Sequence, residues 1–391
     1  MSSLPYRIVR PGEPAPAERT TGALRLETIR GAEGFAALRE EWDELLEHSA
    51  ANCVFLTWEW LYTWWWYQGE GRRLSILTLR REGRLVAIAP LCIAPAEPRR
   101  AMPIRRLEWL GSGSVGSDYL DVIVRRGSES AAVTVLADHL ASRDISLHLQ
   151  RVLKDSTASR LAAELASRGH SIDIEPGGIC PHIDLRERTW DAYLGERSAS
   201  HRYTLRRKSR RLQERFDPQF ETARDRDEVN RALTALFDLH DLRWDSAGGS
   251  TALHTAALRR FHREFGRHAI DRGWLRLVVL RLAGQPVAAL YGLRYGGVHY
   301  FYQSGFDPAL RSYSLGMITL AHAIEAALAE GAREFDLLHG VEAYKFHWAT
   351  RIRTLEDLWL HPSSLRGRAR HAIVALRRWV IALVRRKGGR S

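Results

Sequence analysis

The sequence predicts an α/β fold of two tandem mixed-sheet units, with helices on both faces and an amphipathic helix at the C-terminus. Three observations predict it. Short apolar strands alternate along the chain with amphipathic helices. The 391 residues are 45% hydrophobic and 27% charged, enough for two cores of ordinary size. A hairpin near residue 80 also recurs near residue 280. At an offset of 201, Leu74, Leu79, Arg80, Gly83, Val86 and Ala87 face Leu275, Leu280, Arg281, Gly284, Val287 and Ala288 without a gap. Such self-similarity points to a duplicated unit.

The elements follow in order. Residues 1–22 read as a flexible tail, with no apolar segment of a signal peptide. The first unit spans 23–180. Leu24–Ile29 alternates as a strand, and Gly34–Leu46 and the tryptophan-dense Phe55–Tyr67 read as helices. Leu74–Arg80 and Leu85–Ile93 form a hairpin about Glu82-Gly83. Leu107–Leu110 and Tyr119–Val124 read as strands around a Gly/Ser loop. Ala131–Arg143 and Ser159–Ser167 read as helices, with short strands at Ile145–Leu149 and His170–Ile174.

The second unit spans 181–362. Trp190–Leu194 and the basic Ser200–Phe216 read as helices, and Phe220–Ala223 as a short strand. Glu228–Asp245 and Thr255–Arg272 are amphipathic helices. Leu275–Leu282 and Val287–Tyr295 make the second hairpin, followed by a strand at Val298–Ser304. A helix over Leu315–Glu330 stops at Gly331, and Glu334–Leu338 is the next strand. Residues 363–391 read as a basic amphipathic helix.

The net charge of +12 is local. Residues 366–391 hold nine Arg and Lys and no acid, and residues 196–215 contribute +6, which leaves −3 for the rest. This argues against coating of DNA and for two local anion sites. In the tail, Ile373, Leu376, Val380, Leu383 and Val384 recur at helical spacing among arginines, with Trp379 nearby. That pattern reads either as an anchor on an anionic membrane surface or as a helix docked on the protein body. Three scattered cysteines, Cys53, Cys92 and Cys180, fit reduced thiols and a cytoplasmic location. They form no metal-binding spacing. No run of about 18 uncharged apolar residues appears, so a multi-span membrane protein is excluded.

Arg311-Ser312-Tyr313-Ser314-Leu315-Gly316 follows a strand and opens a helix. Unpaired N–H groups there suit a pyrophosphate, and Ser314 and Gly316 allow close approach of backbone. The alternative is a plain helix cap by Ser312 or Ser314. The pattern Arg-x-x-Ser-x-Gly resembles the pyrophosphate loop of the GNAT acyltransferases, with Ser314 where that loop has Gly. More widely, Gly284–Ala289, Tyr300–Asp307, Phe335–Gly340, Tyr344–Phe346, Ser200–Lys208 and Ser117–Asp121 resemble the CelD-type acetyltransferases of cellulose and exopolysaccharide synthesis. The resemblance covers roughly residues 25–360. It implies two GNAT-like units, with acetyl-CoA or another acyl-CoA held by Arg311, Ser314, Leu315 and Gly316. The related Fem-type transferases share this architecture and use aminoacyl-tRNA.

Acyl transfer needs a base, an oxyanion donor and an acid. His339 suits base work near neutrality, and Asp336 would orient it or bind the acceptor. Tyr344 would be the acid, and Lys345 would stabilise the oxyanion or hold an anionic acceptor. Each has a bland reading as well: a loop histidine, a core tyrosine, a surface lysine. His240, Arg243 and Trp244 end a helix beside the loop Ser246–Ser250, which either closes over substrate or merely ends the helix. Tyr300 and Tyr302 share one strand face, either an acceptor groove or packed core. Asp118 and Asp121 contact the acceptor or shape a turn, with no third acid or His to hold a metal. The Trp58–Trp66 cluster is a sugar platform or inter-domain packing.

The expected function is therefore acyl-CoA-dependent N- or O-acylation of a sugar or amine in cell-surface polysaccharide synthesis, without metal. Aminoacyl transfer from tRNA to a peptidoglycan precursor, and a non-catalytic membrane-associated scaffold, are the alternatives.

Overall fold

The computed structural model describes residues 22–95, 105–245, 253–364 and 367. The tail expected at 1–22 and the helix expected at 363–391 lie outside these residues, apart from their inner ends. So do the side chain of Trp244 and the loop Ser246–Ser250.

The first half contributes β1 (Arg25–Ile29), β2 (Arg73–Leu74), β3 (Ile76–Arg81), β4 (Arg84–Ala89), β5 (Leu91–Ile93), β6 (Arg106–Trp109), β7 (Ile123–Val124), β8 (Ser146–Leu153) and β9 (Ser171–Asp184). The second contributes β10 (Gln219–Thr222), β11 (Leu275–Leu282), β12 (Gln285–Tyr295), β13 (Val298–Phe306), β14 (Glu334–Asp336) and β15 (Arg351–His361). One sheet runs β1-β3-β4-β7. The other, of eleven strands, runs β10-β11-β12-β13-β14-β9-β15-β8-β6-β5-β2.

The two hairpins repeat in atomic detail. Glu82-Gly83 and Ala283-Gly284 both take positive φ, the geometry of a tight two-residue turn. The strand register shifts at Leu79/Arg80 in one and at Leu280/Arg281 in the other. Arg80 donates to the Gly83 carbonyl and Arg281 to the Gly284 carbonyl, at 2.9 and 3.1 Å. Both hairpins also pair antiparallel with the preceding strand, β1 or β10.

Beyond the hairpins the units exchange strands. β9 follows the first unit yet pairs with β14 of the second, and β15 follows the second yet pairs with β8 of the first. β9 and β15 pair with each other along most of their lengths. The division at 180/181 thus falls inside one 14-residue strand, where the sequence suggested a strand ending at Ile174 and a fresh start near His182. The strand β15 was not expected from the sequence.

The tryptophan-rich helix Trp58–Gln68 packs against the helix Ala256–Asp271 of the other unit. Trp60 and Trp64 are fully buried, and Trp60 meets Phe261 and Phe265 edge-on. The cluster is therefore mainly inter-unit core rather than a sugar platform; Trp66 alone of its tryptophans is largely exposed, at 61%. Its indole N–H groups also fasten the next loop. Trp64 donates to the Ser112 carbonyl at 3.0 Å and Trp60 to Ser117 Oγ at 2.8 Å. Gly34–Leu46, expected as one helix, breaks at Leu38 into Ala32–Ala37 and Arg39–Glu47. No described helix is long and apolar enough to cross a membrane.

Candidate functional site

β13 runs parallel to β14 only from Val298 to Tyr300, against Glu334 to Asp336. The rest of β13 has no partner on that side, so the sheet splays open there. β13 also carries an extra residue against β12, because Tyr291 faces Gln303 while Gly292 faces Phe301. Such a bulge re-aims side chains beside a site. A cavity of about 340 Å³ fills the splay, lined by Arg243, Phe301, Phe306, Arg311, Gly316 and Tyr344 among others.

Four of the residues expected to hold a donor, Arg311, Ser314, Leu315 and Gly316, all reach this cavity. The helix Leu315–Ala329 begins here. Ser314 makes no side-chain cap bond to it, so the plain-cap reading does not hold for Ser314; the Met317 N–H turns back to the Ser314 carbonyl at 3.0 Å, which leaves the Leu315 and Gly316 N–H groups open to a ligand. Ser314 adopts φ +58° and ψ +48°, a left-handed conformation that glycine takes without strain. A Cβ on Gly316 would touch Phe306 at 3.4 Å, so a large side chain there would fill the cavity.

Tyr344 enters from the short helix Ala343–Trp348, whose end is held by Tyr193 Oη donating to the Trp348 carbonyl at 2.6 Å. Burial raises the Tyr344 pKa above its ordinary value. Arg243 donates to Ser304 Oγ at 3.3 Å and lies 4.7 Å over the Phe306 ring. The basic helix Ala199–Arg215 lends His201 to the cavity wall and flanks the same loop. Lys208 donates to the Ser312 carbonyl, and Arg211 sits 5.1 Å over Tyr313.

The Asp-bearing motifs of the two halves meet on the other face of the sheet. Tyr119 Oη donates to Asp336 Oδ2 at 2.7 Å. Asp118 Oδ2 accepts the His339 backbone N–H at 2.9 Å, and its other oxygen pairs with Arg151 at 3.0 Å. Asp336 is buried and also accepts the Leu338 N–H at 2.8 Å and Arg353 at 3.3 Å. Burial above all, with Glu334 nearby, raises the Asp336 pKa to about 7 against the pull of Tyr119 and Arg353. Asp336, Tyr119, Tyr300 and Arg353 line a second cavity, of about 710 Å³, between the units. Its size suits a small-molecule ligand. Tyr300 and Phe301 are neighbours on β13 and line different cavities, so the two lie back to back across that strand.

Other expected site residues are placed differently. The His339 ring lines neither cavity; it stands against Gly178, where a Cβ would collide with it. Lys345 is buried, donates to the His339 carbonyl at 2.7 Å and pairs with Glu342 at 3.2 Å, clamping the 338–342 loop. Asp121 does line the inter-unit cavity, but its carboxylate is engaged in accepting the N–H groups of Thr157 and Ala158 at 3.1 and 2.6 Å, capping the helix Thr157–Ser167; burial raises its pKa to about 6. Tyr302 donates to the Val115 carbonyl and packs among Phe55, Trp60 and His262, so it is core rather than groove. His240 is buried and lines neither cavity.

Tyr119, Arg151 and Arg353 are not among the site residues expected from the sequence. Tyr119 was expected on a strand but takes φ +62° in a loop before β7. The Gly/Ser loop ahead of it was the available signal.

The chain matches a family model described as an acetyltransferase (GNAT) domain over residues 199–346. No curated protein matches it. Among solved structures it resembles FemX, with TM-score 0.58, 11% identity, and coverage of 82% of this chain and 95% of that one. It also resembles the C-terminal domain of a putative lysylphosphatidylglycerol synthetase from Agrobacterium fabrum, with TM-score 0.53, 11% identity and coverage of 88% and 96%. L-PGS from Bacillus licheniformis follows at TM-score 0.50, 13% identity and coverage of 86% and 95%. At these identities the likeness is one of fold. The matched segment contains the splayed strands, the Arg311–Gly316 loop and Tyr344, and with it the chain carries a GNAT-type acyltransferase domain within a two-unit α/β fold.

Proposed function

We propose that the chain transfers an acyl group, acetyl in the simplest case, from acyl-CoA to an amine or hydroxyl of a sugar or amine acceptor in cell-surface polysaccharide synthesis. The observation that carries this is the convergence of an uncapped helix start, Arg311 and Tyr344 on one cavity at the splay of β13 and β14. The Leu315 and Gly316 N–H groups and Arg311 would hold the pyrophosphate. The apolar wall of Phe301, Phe306 and Leu320 suits the pantetheine arm. The acceptor would occupy the inter-unit cavity and meet the thioester where β13 leaves β14.

In the transfer, the acceptor N or O bonds to the acyl carbon and the C–S bond breaks. Asp336 accepts the acceptor's proton, and Tyr344 gives one to the leaving thiolate. Asp336 takes the base role in place of His339 because it faces the cavity and His339 does not. The polysaccharide setting is supported by the CelD-type motifs. Residues 366–391 would hold the chain to the inner face of the membrane. A crystal structure with CoA tests the reading. Density along Arg311–Gly316 is expected, and density elsewhere, or none at saturating CoA, contradicts it.

One observation favours a second reading, aminoacyl-tRNA as donor. The basic helix Ala199–Arg215 is fastened to the donor loop through Lys208 and Arg211. Binding of tRNA that falls steeply with salt and is lost in an Arg206→Ala/Arg210→Ala variant, without any CoA binding, would select it.

A further inference from the structure

Seven non-glycine residues take positive φ among the described residues. Glu82 and Ala283 form the hairpin turns, Glu187 lies just after β9, and Ser314 is in the donor loop. The other three, Tyr119, Arg151 and Leu338, come from distant parts of the chain and converge on one place. Arg151 pairs with Asp118, Tyr119 donates to Asp336, and the Leu338 N–H donates to Asp336. Non-glycine residues held in this region cost about 1 kcal/mol or more each and persist where the surroundings enforce them. Two of them, Tyr119 and Leu338, bond the Asp336 carboxylate itself, and Arg151 holds the neighbouring Asp118, so strain from both halves of the chain is gathered around Asp336 and marks it as functional.

The Tyr119 loop is fixed from the first unit's core. Trp60 donates to Ser117 Oγ, and Ser117 Oγ donates to the Gly111 carbonyl, both at 2.8 Å. Asp118 then crosses to the His339 backbone, and Tyr119 crosses to Asp336.

We propose that Tyr119 is a positioning residue for the acyl transfer, so that the first unit completes the second unit's active site by orienting the Asp336 carboxylate toward the inter-unit cavity. This rests on the acyltransferase reading given above. The hydroxyl bonds one oxygen of Asp336 and the Leu338 N–H the other, which fixes the plane of the carboxylate. The groups facing Asp336 are Tyr119, Arg353 on β15, Cys180 and His182 on β9, Tyr300 on β13 and Glu334 on its own strand. Of these, Tyr119 and Arg353 bond to its carboxylate directly. Tyr119 therefore both aims Asp336 and favours its ionised form.

The experiment uses the full chain with 13C-labelled aspartate carboxyls, Asp336 being assigned by its loss in Asp336→Asn. In Tyr119→Phe the Asp336 titration midpoint is expected to rise by about one pH unit. The acid limb of acetyl-CoA hydrolysis, with water as the acceptor, is expected to move with it, at unchanged acetyl-CoA affinity. A titration identical in wild type and Tyr119→Phe overturns the proposal. If Tyr119→Phe does not fold, Ser117→Ala loosens the Tyr119 loop from Trp60 without removing any group that bonds Asp336. It should raise the midpoint by a smaller amount, and an unmoved midpoint again overturns the proposal. A shifted titration in a chain that binds no acetyl-CoA supports the Tyr119–Asp336 coupling and overturns the donor assignment instead.

Discussion

Glu59 is wholly buried in the tryptophan-rich helix, and Arg272, at the end of the helix Ala256–Asp271, donates to it at 2.9 Å. A charge pair therefore bridges the two units at the point where Trp60 packs on Phe265. Arg272 also pairs with Asp43, and Glu59 keeps a second partner in Arg39 at 3.1 Å. Removing Arg272 leaves a buried carboxylate with one cation in place of two. Arg272→Ala should lower stability by about 2 kcal/mol, read by urea unfolding. A change within about 0.5 kcal/mol would show that the units are held by apolar packing alone.

Asp336 and Asp121 have folded pKa values of about 7 and about 6, both above the ordinary carboxylate value. Between about pH 4 and these values the folded chain binds protons that the unfolded chain has released, so their contribution to stability falls as pH rises through that window. Asp336→Asn removes one of the two. Its unfolding free energy should lose the part of the pH slope between 4 and 7 that wild type shows. Parallel slopes would place Asp336 in a more solvated setting than its burial indicates.

Much of this was legible in the sequence, and the failures have physical causes. Both hairpins were read correctly because period-two alternation and the Glu-Gly and Ala-Gly turns are local signals. The donor loop was legible because its small residues and Arg311 act within six positions. The strand β15 was not, since Glu356 and Asp357 interrupt the alternation of Ile352, Leu355, Leu358 and Leu360, and the register shifts at Leu355/Glu356. The exchange of β9 and β15 is a long-range pairing with no local signature. Tyr119 looked like a strand residue by propensity, and only tertiary bonds through Ser117 and Asp336 hold it in a left-handed turn.

Gly178 takes φ +114°, and a Cβ there would collide with the His339 ring. Gly178→Ala should displace His339 and with it the backbone N–H that Asp118 accepts. A loss of about 2 kcal/mol in stability is expected, with acyl-donor affinity retained, because the donor cavity lies on the other face of the sheet. Full stability in the variant would show that the loop moves freely.

Tyr344 carries its proton across the neutral range, as a tyrosine ordinarily does, and burial raises its pKa further. It can therefore give a proton to a departing thiolate. Tyr344→Phe should lower kcat about a hundredfold with KM for acetyl-CoA little changed. An equal rise in KM with kcat intact would make Tyr344 a wall of the cavity rather than the acid.

The cavity at Arg311–Gly316 is proposed to bind acyl-CoA. Calorimetric titration of the full chain with acetyl-CoA tests it most directly, beside Arg311→Ala and Gly316→Trp. Binding is expected in wild type, weakened about tenfold by Arg311→Ala and abolished by Gly316→Trp, whose indole would fill the space against Phe306. Binding unaltered in both variants, or absent in wild type, would rule out this cavity as the acyl-CoA site.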